Sequence, residues 1–197
     1  SPFVRKVTVT AIETGLEDRV ERVPTDHHDP KSGLTDVNPL GKVPALVLED
    51  GSAMIESSLI CAYLDGLHDG PKLIPEDAVA RMKVLQMQAL SDGMTDAAIQ
   101  VQRERGRPED KQVSQIGDRQ WGKTMRALDA LEADAAAFDA PLNLGHIAVA
   151  CGLGWIEYRL GDRLAGWEKS HPKLEKWYRA FCERPSMQST IPNYGAR

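Results

Sequence analysis

Cysteine is scarce in this chain. Its 197 residues contain three cysteines, Cys61, Cys151 and Cys182, which lie far apart, and no Cys-x-x-Cys pair occurs. An odd and sparse set argues against both a disulfide framework and a dithiol redox motif. All three lie in apolar helical patterns, which predicts small buried residues in a protein kept in a reducing compartment. We therefore expect a cytoplasmic location.

The chain also lacks an excess of positive charge and a long apolar run. Its 24 basic and 29 acidic residues give a formal net charge of −5, the wrong sign for a binder of nucleic acids or anionic membranes. The longest stretch without charge, residues 140–156, is interrupted by Pro141, Asn143 and His146. A bilayer span needs about 20 strongly apolar residues. The sequence therefore predicts no nucleic-acid partner and no membrane segment.

The opening of the chain has the pattern of a capped helix. Ser1 can cap it, Pro2 suits the first helical turn and Gly15 suits the exit, with apolar residues at helical spacing between them. Residues 7–10 also fit a strand, so the pattern leaves both structures open. A short strand is predicted over residues 21–24, before a polar and turn-rich stretch.

A β-hairpin and a second helix follow. Residues 45–48 and 53–55 are short apolar runs on either side of an Asp-Gly turn, which predicts two antiparallel strands. Glu56 and Ser57 come directly after the second strand, and apolar residues at helical spacing follow them. Ser57 can act as the N-cap of this helix.

The remainder of the chain is predicted to be helical. Residues 70–75 are rich in helix breakers, and we place a domain boundary there. One long amphipathic helix follows and ends near Arg105, and a nearly all-apolar segment from Ile147 to Tyr158 predicts a central buried helix. The expected layout is a small α/β domain at residues 1–70 and an all-α domain at residues 76–197.

Several motifs in this order resemble the glutathione transferase family, in particular its serine-type bacterial branch. The resemblance covers the whole chain and rests on Ser1-Pro2-Phe3-Val4-Arg5-Lys6-Val7, Asn38-Pro39-Leu40-Gly41-Lys42-Val43-Pro44, Glu56-Ser57-Ser58, Ala89-Leu90-Ser91-Asp92-Gly93-Met94 and Ile147-Ala148-Val149-Ala150-Cys151. It implies a thioredoxin-like N-terminal domain followed by an all-α helical bundle. In the family a β-strand precedes the serine, so the resemblance also implies that further residues precede Ser1 in the native protein.

The resemblance assigns the thiol chemistry to the start of the first helix. Ser1 matches the family's serine whose hydroxyl hydrogen-bonds the sulfur of glutathione, and Phe3 would line the pocket for an electrophilic second substrate. A thiol with a pKa near 8.5 is mostly protonated at neutral pH, whereas the thiolate is the nucleophile. A hydroxyl donor would stabilise the thiolate. A second serine upstream of Ser1 is the alternative partner for the sulfur.

The resemblance also assigns the residues that hold glutathione, the expected co-substrate. Val43 matches the residue whose backbone pairs with the cysteinyl part, and Pro44 matches the family's cis proline. Glu56 and Ser57 match the pair that binds the γ-glutamyl amine and carboxylate. Lys42 lies where a basic side chain can meet the glycyl carboxylate.

Three functions remain open from the sequence. The first is a transferase in which the glutathione thiolate attacks a small alkyl or aryl electrophile, as in detoxification. The second is a glutathione-dependent disulfide or peroxide reductase, and the third is a weakly catalytic glutathione-binding interaction module. The family forms homodimers, and the long helix carries two apolar stripes that predict two packing partners: Met82, Leu85 and Ala89, and Met87, Leu90 and Met94.

Two clusters of polar residues have weaker functional interpretations. His27, His28 and Asp29 are adjacent in a polar loop, and such neighbours rarely bind one ion together, so we expect no metal. Arg103, Arg105 and Arg107 at the end of the long helix suggest a solvated face. They could alternatively reach an anionic substrate at the domain cleft.

Overall fold

The computed structural model describes residues 1–192, and it is mostly helical. The first half contains α1 (Pro2–Glu13), the 3-10 turn Glu17–Arg19, α2 (Leu34–Val37), β1 (Ala45–Val47), β2 (Ala53–Ile55) and α3 (Ser57–Gly66). The second half contains α4 (Ala78–Arg105), α5 (Ser114–Ala133), α6 (Leu144–Leu160), α7 (Trp167–Ser170), α8 (Pro172–Cys182) and α9 (Pro185–Gln188), with 3-10 turns at Glu109–Lys111 and Ala135–Asp139. The last five residues of the predicted second domain lie outside the described residues.

The strand predicted over residues 21–24 is wrong. All four residues are exposed in irregular structure, and Val23 is 72% exposed. A strand is stabilised by its ladder partner and by a buried face, and among residues 1–192 the only sheet is the β1–β2 pair. This segment has neither. Residues 7–10, which also fitted a strand, lie inside α1.

The predicted hairpin is confirmed and places two distant motifs side by side. In the antiparallel register, Ala45 lies opposite Ile55. Pro44 immediately precedes β1 and Glu56 immediately follows β2, so the two residues meet at the same end of the hairpin. The hairpin thereby brings two stretches that the sequence resemblance had singled out to one edge of the N-terminal half.

The predicted central helix is confirmed as α6. Its residues are almost all buried, and α4 packs along it closely because Gly152 leaves room for the neighbouring helix. A Cβ on Gly152 would lie 2.5 Å from Oγ1 of Thr95 and 3.2 Å from Oγ of Ser91, both on α4. Interiors are packed to near-crystalline density. A larger residue at this position therefore requires the side chain of Thr95, or α4 itself, to shift.

Ion pairs and hydrogen bonds join the two halves of the chain. Lys6 of α1 lies 1% exposed and donates to both carboxylate oxygens of Asp92 on α4, at 2.7 Å each. Near the end of α3, the buried carboxylate of Asp65 accepts from the backbone N–H groups of Leu73 and Ile74 at 2.7 and 3.0 Å. The predicted linker is thus anchored to α3. Among residues 1–192, no helix is both long and apolar enough to cross a bilayer.

Candidate functional site

Ser1 lies at the N-terminus of α1, as the sequence predicted. Its side-chain oxygen accepts from the backbone N–H of Val4 at 3.5 Å, which is the long limit of a hydrogen bond. Ser1 is exposed, whereas Pro2 behind it is buried. Within residues 1–192 this weak bond is the only one at the Ser1 side chain, so the hydroxyl proton can point at a ligand. The first N–H groups of α1 face the same end of the helix.

The loop before β1 is organised by Asn38, a residue to which the sequence assigned no role. Asn38 is 2% exposed, and its amide nitrogen donates to the carbonyl oxygen of Lys42 at 2.7 Å. Its amide oxygen accepts from the backbone N–H of Leu40 at 3.0 Å. Gly41 completes the turn with φ of +58°, a left-handed conformation that suits glycine. Asn before Pro is a turn signal, and it could have identified this residue.

The Val43–Pro44 peptide bond is cis, as the resemblance implied for Pro44. Both residues are half-buried, whereas Lys42 before them is exposed. Lys42 faces the second half of the chain, where burial raises the pKa of Asp96 on α4 and the charge of Lys42 partly opposes that rise. The loop therefore presents a backbone segment and a basic side chain toward α4.

Glu56 adopts an unusual backbone conformation before α3. Its φ of +75° lies in the left-handed region, which is uncommon for a residue other than glycine and costs of order 1–3 kcal/mol. The structure corrects the predicted N-cap, because Glu56 occupies that position and Ser57 is the first helical residue. Ser57 is 1% exposed, and its hydroxyl donates to the Glu56 carboxylate at 3.4 Å. This geometry aims the first N–H groups of α3 and one carboxylate at the same space.

Phe3 is half-buried in the first turn of α1, beside a buried cation. The ammonium nitrogen of Lys6 lies 5.6 Å from the centre of its ring, within range of a cation–π interaction. The ion pair of Lys6 with Asp92 therefore supports the face of α1 that carries Phe3. Sequence analysis assigned no role to Lys6 or Asp92, although a lysine inside an apolar helical pattern was a usable signal.

Carboxylates crowd the part of α4 nearest to Glu56. Burial raises the pKa of Asp92, while the ammonium of Lys6 opposes that effect. Burial also raises the pKa of Asp96, the charge of Lys42 lowers it, and the nearby Glu56 raises it further. Lys42 and Glu56 are thus both close enough to Asp96 to act on its carboxylate across the two halves of the chain.

The remaining polar candidates, on the loop of His27 and His28 and at the end of α4, are exposed. The rings of His27 and His28 lie 4.0 Å apart, and no group of three or more potential metal ligands occurs within residues 1–192. Arg105 forms an ion pair with Asp162 at 2.9 Å, and Arg107 forms one with Glu104 at 3.4 Å. These pairs agree with the solvated face that the sequence suggested.

The architecture defines a class of protein in which a thioredoxin-like domain precedes an all-helical one. Family models for glutathione S-transferases match the chain in both parts: the N-terminal domain at residues 1–67 and the C-terminal domain at residues 102–180. The chain belongs to the glutathione S-transferase family. The expected fold class is thereby confirmed.

Relatives match along nearly the full length. The chain is 34% identical to the uncharacterised GST-like protein YibF of Escherichia coli, with 98% of this chain and 95% of that protein covered. It is 40% identical to a glutathione transferase family member from Pseudomonas fluorescens, solved with bound glutathione, at a TM-score of 0.91. It is 36% identical to a glutathione S-transferase from Methylobacillus flagellatus, also solved with glutathione, at a TM-score of 0.92. Each structural match covers 98% of this chain and 95% of the other.

Proposed function

We propose that this protein is a glutathione transferase-like enzyme that activates the thiol of glutathione for attack on a small electrophile. The observation that carries the proposal is the hairpin register. It brings Pro44 and Glu56 to one end of the sheet, next to the buried Ser57 that opens α3. The glutathione bound in the P. fluorescens and M. flagellatus structures supports the same ligand here.

The proposed site holds glutathione by its three parts. The γ-glutamyl carboxylate binds the N–H groups that open α3 at Ser57, since a helix N-terminus attracts anions. The γ-glutamyl amine binds the carboxylate of Glu56. The cysteinyl part pairs with the backbone of Val43, which the Asn38 turn holds in place. Lys42 binds the glycyl carboxylate.

Activation of the thiol falls to Ser1. In the proposed reaction its hydroxyl donates to the sulfur, which favours the thiolate and releases the thiol proton to solvent. Each unit by which the thiol pKa falls corresponds to about 1.4 kcal/mol of differential stabilisation. The sulfur then bonds to the electrophilic carbon, and the leaving group departs with its electron pair.

The burial of the protein's own thiols favours glutathione as the source of sulfur. Burial raises the pKa of Cys61 to about 11, and Cys151 is also buried with a raised pKa. Cys182 is half-buried, and burial raises its pKa too. Thiols that remain protonated are poor nucleophiles. The three cysteines are free thiols, not joined in disulfides, which accords with the cytoplasmic location that we propose.

A substrate panel tests the proposed reaction against its alternatives. The protein would be assayed with glutathione and three acceptor classes: halogenated nitrobenzenes, mixed disulfides and organic peroxides. We expect turnover of the first class, reduced strongly in Ser1→Ala. Turnover of the disulfides or peroxides alone would favour a reductase. Glutathione binding without turnover of any acceptor would favour the interaction module.

We also propose a homodimer through α4. Met94 lies in the core, and Met87 and Leu90 are half-buried against it, so this stripe packs inward. Met82 on the other stripe is 61% exposed, and Val79 one turn earlier is 66% exposed. A second copy would cover these side chains. Light scattering at micromolar concentration should report a dimer, and Met82→Glu should shift it to a monomer; a monomeric wild type would contradict this proposal alone.

A further inference from the structure

A cavity of about 320 Å³ opens where the loop before β1 faces α4 and α5. Lys42 forms the loop side, Asp96 and Gln100 project from α4, and Gln120 and Lys123 project from α5. Ala97 is the largest apolar residue among the described residues of this lining. Pockets for small molecules are ordinarily lined mostly by apolar side chains. A lining this polar selects a polar ligand.

The five polar side chains of the cavity are available to hydrogen-bond a ligand. Among residues 1–192, none of their side-chain atoms takes part in a hydrogen bond with another residue. Basic residues elsewhere in the second half of the chain behave differently, since Arg105 pairs with Asp162 at 2.9 Å and Arg163 pairs with Asp118 at 3.3 Å. The cavity therefore gathers donors and acceptors that the fold itself does not use.

Charges of opposite sign lie on different walls of the cavity. Asp96 on α4 is acidic, and Glu56 outside the cavity adds negative potential on that side, as its effect on the Asp96 pKa shows. Lys123 on α5 is basic, and the amide of Gln120 lies on the same wall. A ligand complementary to both walls carries an ammonium and a carboxylate.

We propose that the second substrate is an electrophile with an α-amino acid headgroup. Its ammonium binds Asp96 and Gln100, and its carboxylate binds Lys123 and Gln120. This inference rests on the proposed function, which reserves Lys42 for the glycyl carboxylate of glutathione. The cavity begins one residue from Val43, and consecutive Cα atoms lie about 3.8 Å apart. The headgroup would thus be bound beside the loop that is proposed to hold glutathione.

The reaction is a substitution that needs no further reactant. The glutathione thiolate forms a carbon–sulfur bond at the electrophilic carbon, and a halide leaves with the electrons of the broken bond. The thiol proton goes to solvent. The headgroup takes no part in the bond changes, so it acts on binding and orientation only.

Three probes that share the same reacting ring distinguish the contribution of the ammonium from that of the carboxylate. They are 4-chloro-3,5-dinitrophenylalanine, its carboxamide, which lacks the carboxylate, and its N-acetyl derivative, which lacks the ammonium. With the full chain and saturating glutathione, we expect kcat/KM to be highest for the free amino acid. Each modified probe should fall about tenfold or more, the usual effect of losing a hydrogen bond to a charged group.

Two variants test which residue binds each charge of the probe. Lys123→Gln should lower kcat/KM about tenfold for the free amino acid and for the N-acetyl probe, while the carboxamide stays unchanged. Asp96→Asn should lower it for the free amino acid and for the carboxamide, while the N-acetyl probe stays unchanged. Lys111→Gln is the matched control, because Lys111 is an exposed lysine outside the cavity lining, and it should behave as wild type.

The outcomes separate this inference from the proposed function. Equal kcat/KM for all three probes, or variants that lower all three alike, would overturn the amino acid headgroup. So would turnover of 1-chloro-2,4-dinitrobenzene with no turnover of the three probes. Failure of the protein to bind glutathione would overturn the proposed function and the inference together.

Discussion

Removal of the Ser1 hydroxyl distinguishes its two roles, because helix capping and thiolate stabilisation contribute different free energies. As a helix cap, a serine contributes about 0.5–2 kcal/mol. In this structure the capping bond to the N–H of Val4 is 3.5 Å long and Ser1 is exposed, so the loss of stability in Ser1→Ala should lie at the low end, about 0.5 kcal/mol. As a donor to a thiolate, the same hydroxyl contributes about 1.5–3 kcal/mol, or one to two pKa units of the bound thiol.

The assay is the ultraviolet absorbance of the thiolate of bound glutathione, measured against pH in wild type and Ser1→Ala. We expect the variant's curve to move to higher pH by one to two units, with turnover lost at neutral pH and partly restored as the pH rises. Urea unfolding of both proteins supplies the stability control. Superimposable absorbance curves would refute the reasoning and show that Ser1 only caps the helix.

Three further predictions concern the fold and the loop. Gly152→Ala should destabilise the protein by about 1–3 kcal/mol in urea unfolding, because its Cβ would overlap α4; Gly117→Ala, with open space at its Cβ, should not. Asn38→Ala should weaken glutathione binding measured by calorimetry, since the turn loses bonds of 2.7 and 3.0 Å, and unchanged affinity would contradict that role. The Arg184 guanidinium lowers the pKa of Glu13 in the folded protein. The stability that Glu13 contributes is therefore complete above its unfolded pKa of about 4.3. It is lost as the pH falls through the lower folded pKa. Glu13→Gln should therefore cost about 1 kcal/mol near pH 7 and almost nothing at low pH.

Local patterns predicted the helices and the hairpin well. The capping residue and proline at the start of α1, the Asp-Gly turn and the apolar stretch of α6 are all signals contained within a few residues. The prediction of a strand over residues 21–24 was wrong because a strand is not determined by local signals alone. A strand depends on a partner elsewhere in the chain, and its own residues cannot report whether that partner is present.

The features of the site likewise divide into those that a sequence motif identifies and those that depend on contacts between distant residues. Ser1, Val43-Pro44 and Glu56-Ser57 were found by resemblance, and the structure places the last two pairs at one end of the hairpin. The left-handed conformation of Glu56 had no local signal. Lys6 was recognisable as a lysine inside an apolar helical pattern, but its partner Asp92 lies 86 positions away and could not be found from that pattern. Their location near the proposed ligand fits the rule that strained and buried polar groups cluster at functional sites.

Calorimetric titration with glutathione tests the central claim most directly. The full chain should bind glutathione at or below millimolar concentration, and cysteinylglycine, which lacks the γ-glutamyl part that Glu56 and Ser57 are proposed to hold, should bind at least tenfold more weakly. Glu56→Gln should remove most of that difference while leaving the fold intact by circular dichroism. Absence of heat with glutathione at millimolar concentration, or equal affinity for the two peptides, would contradict the account.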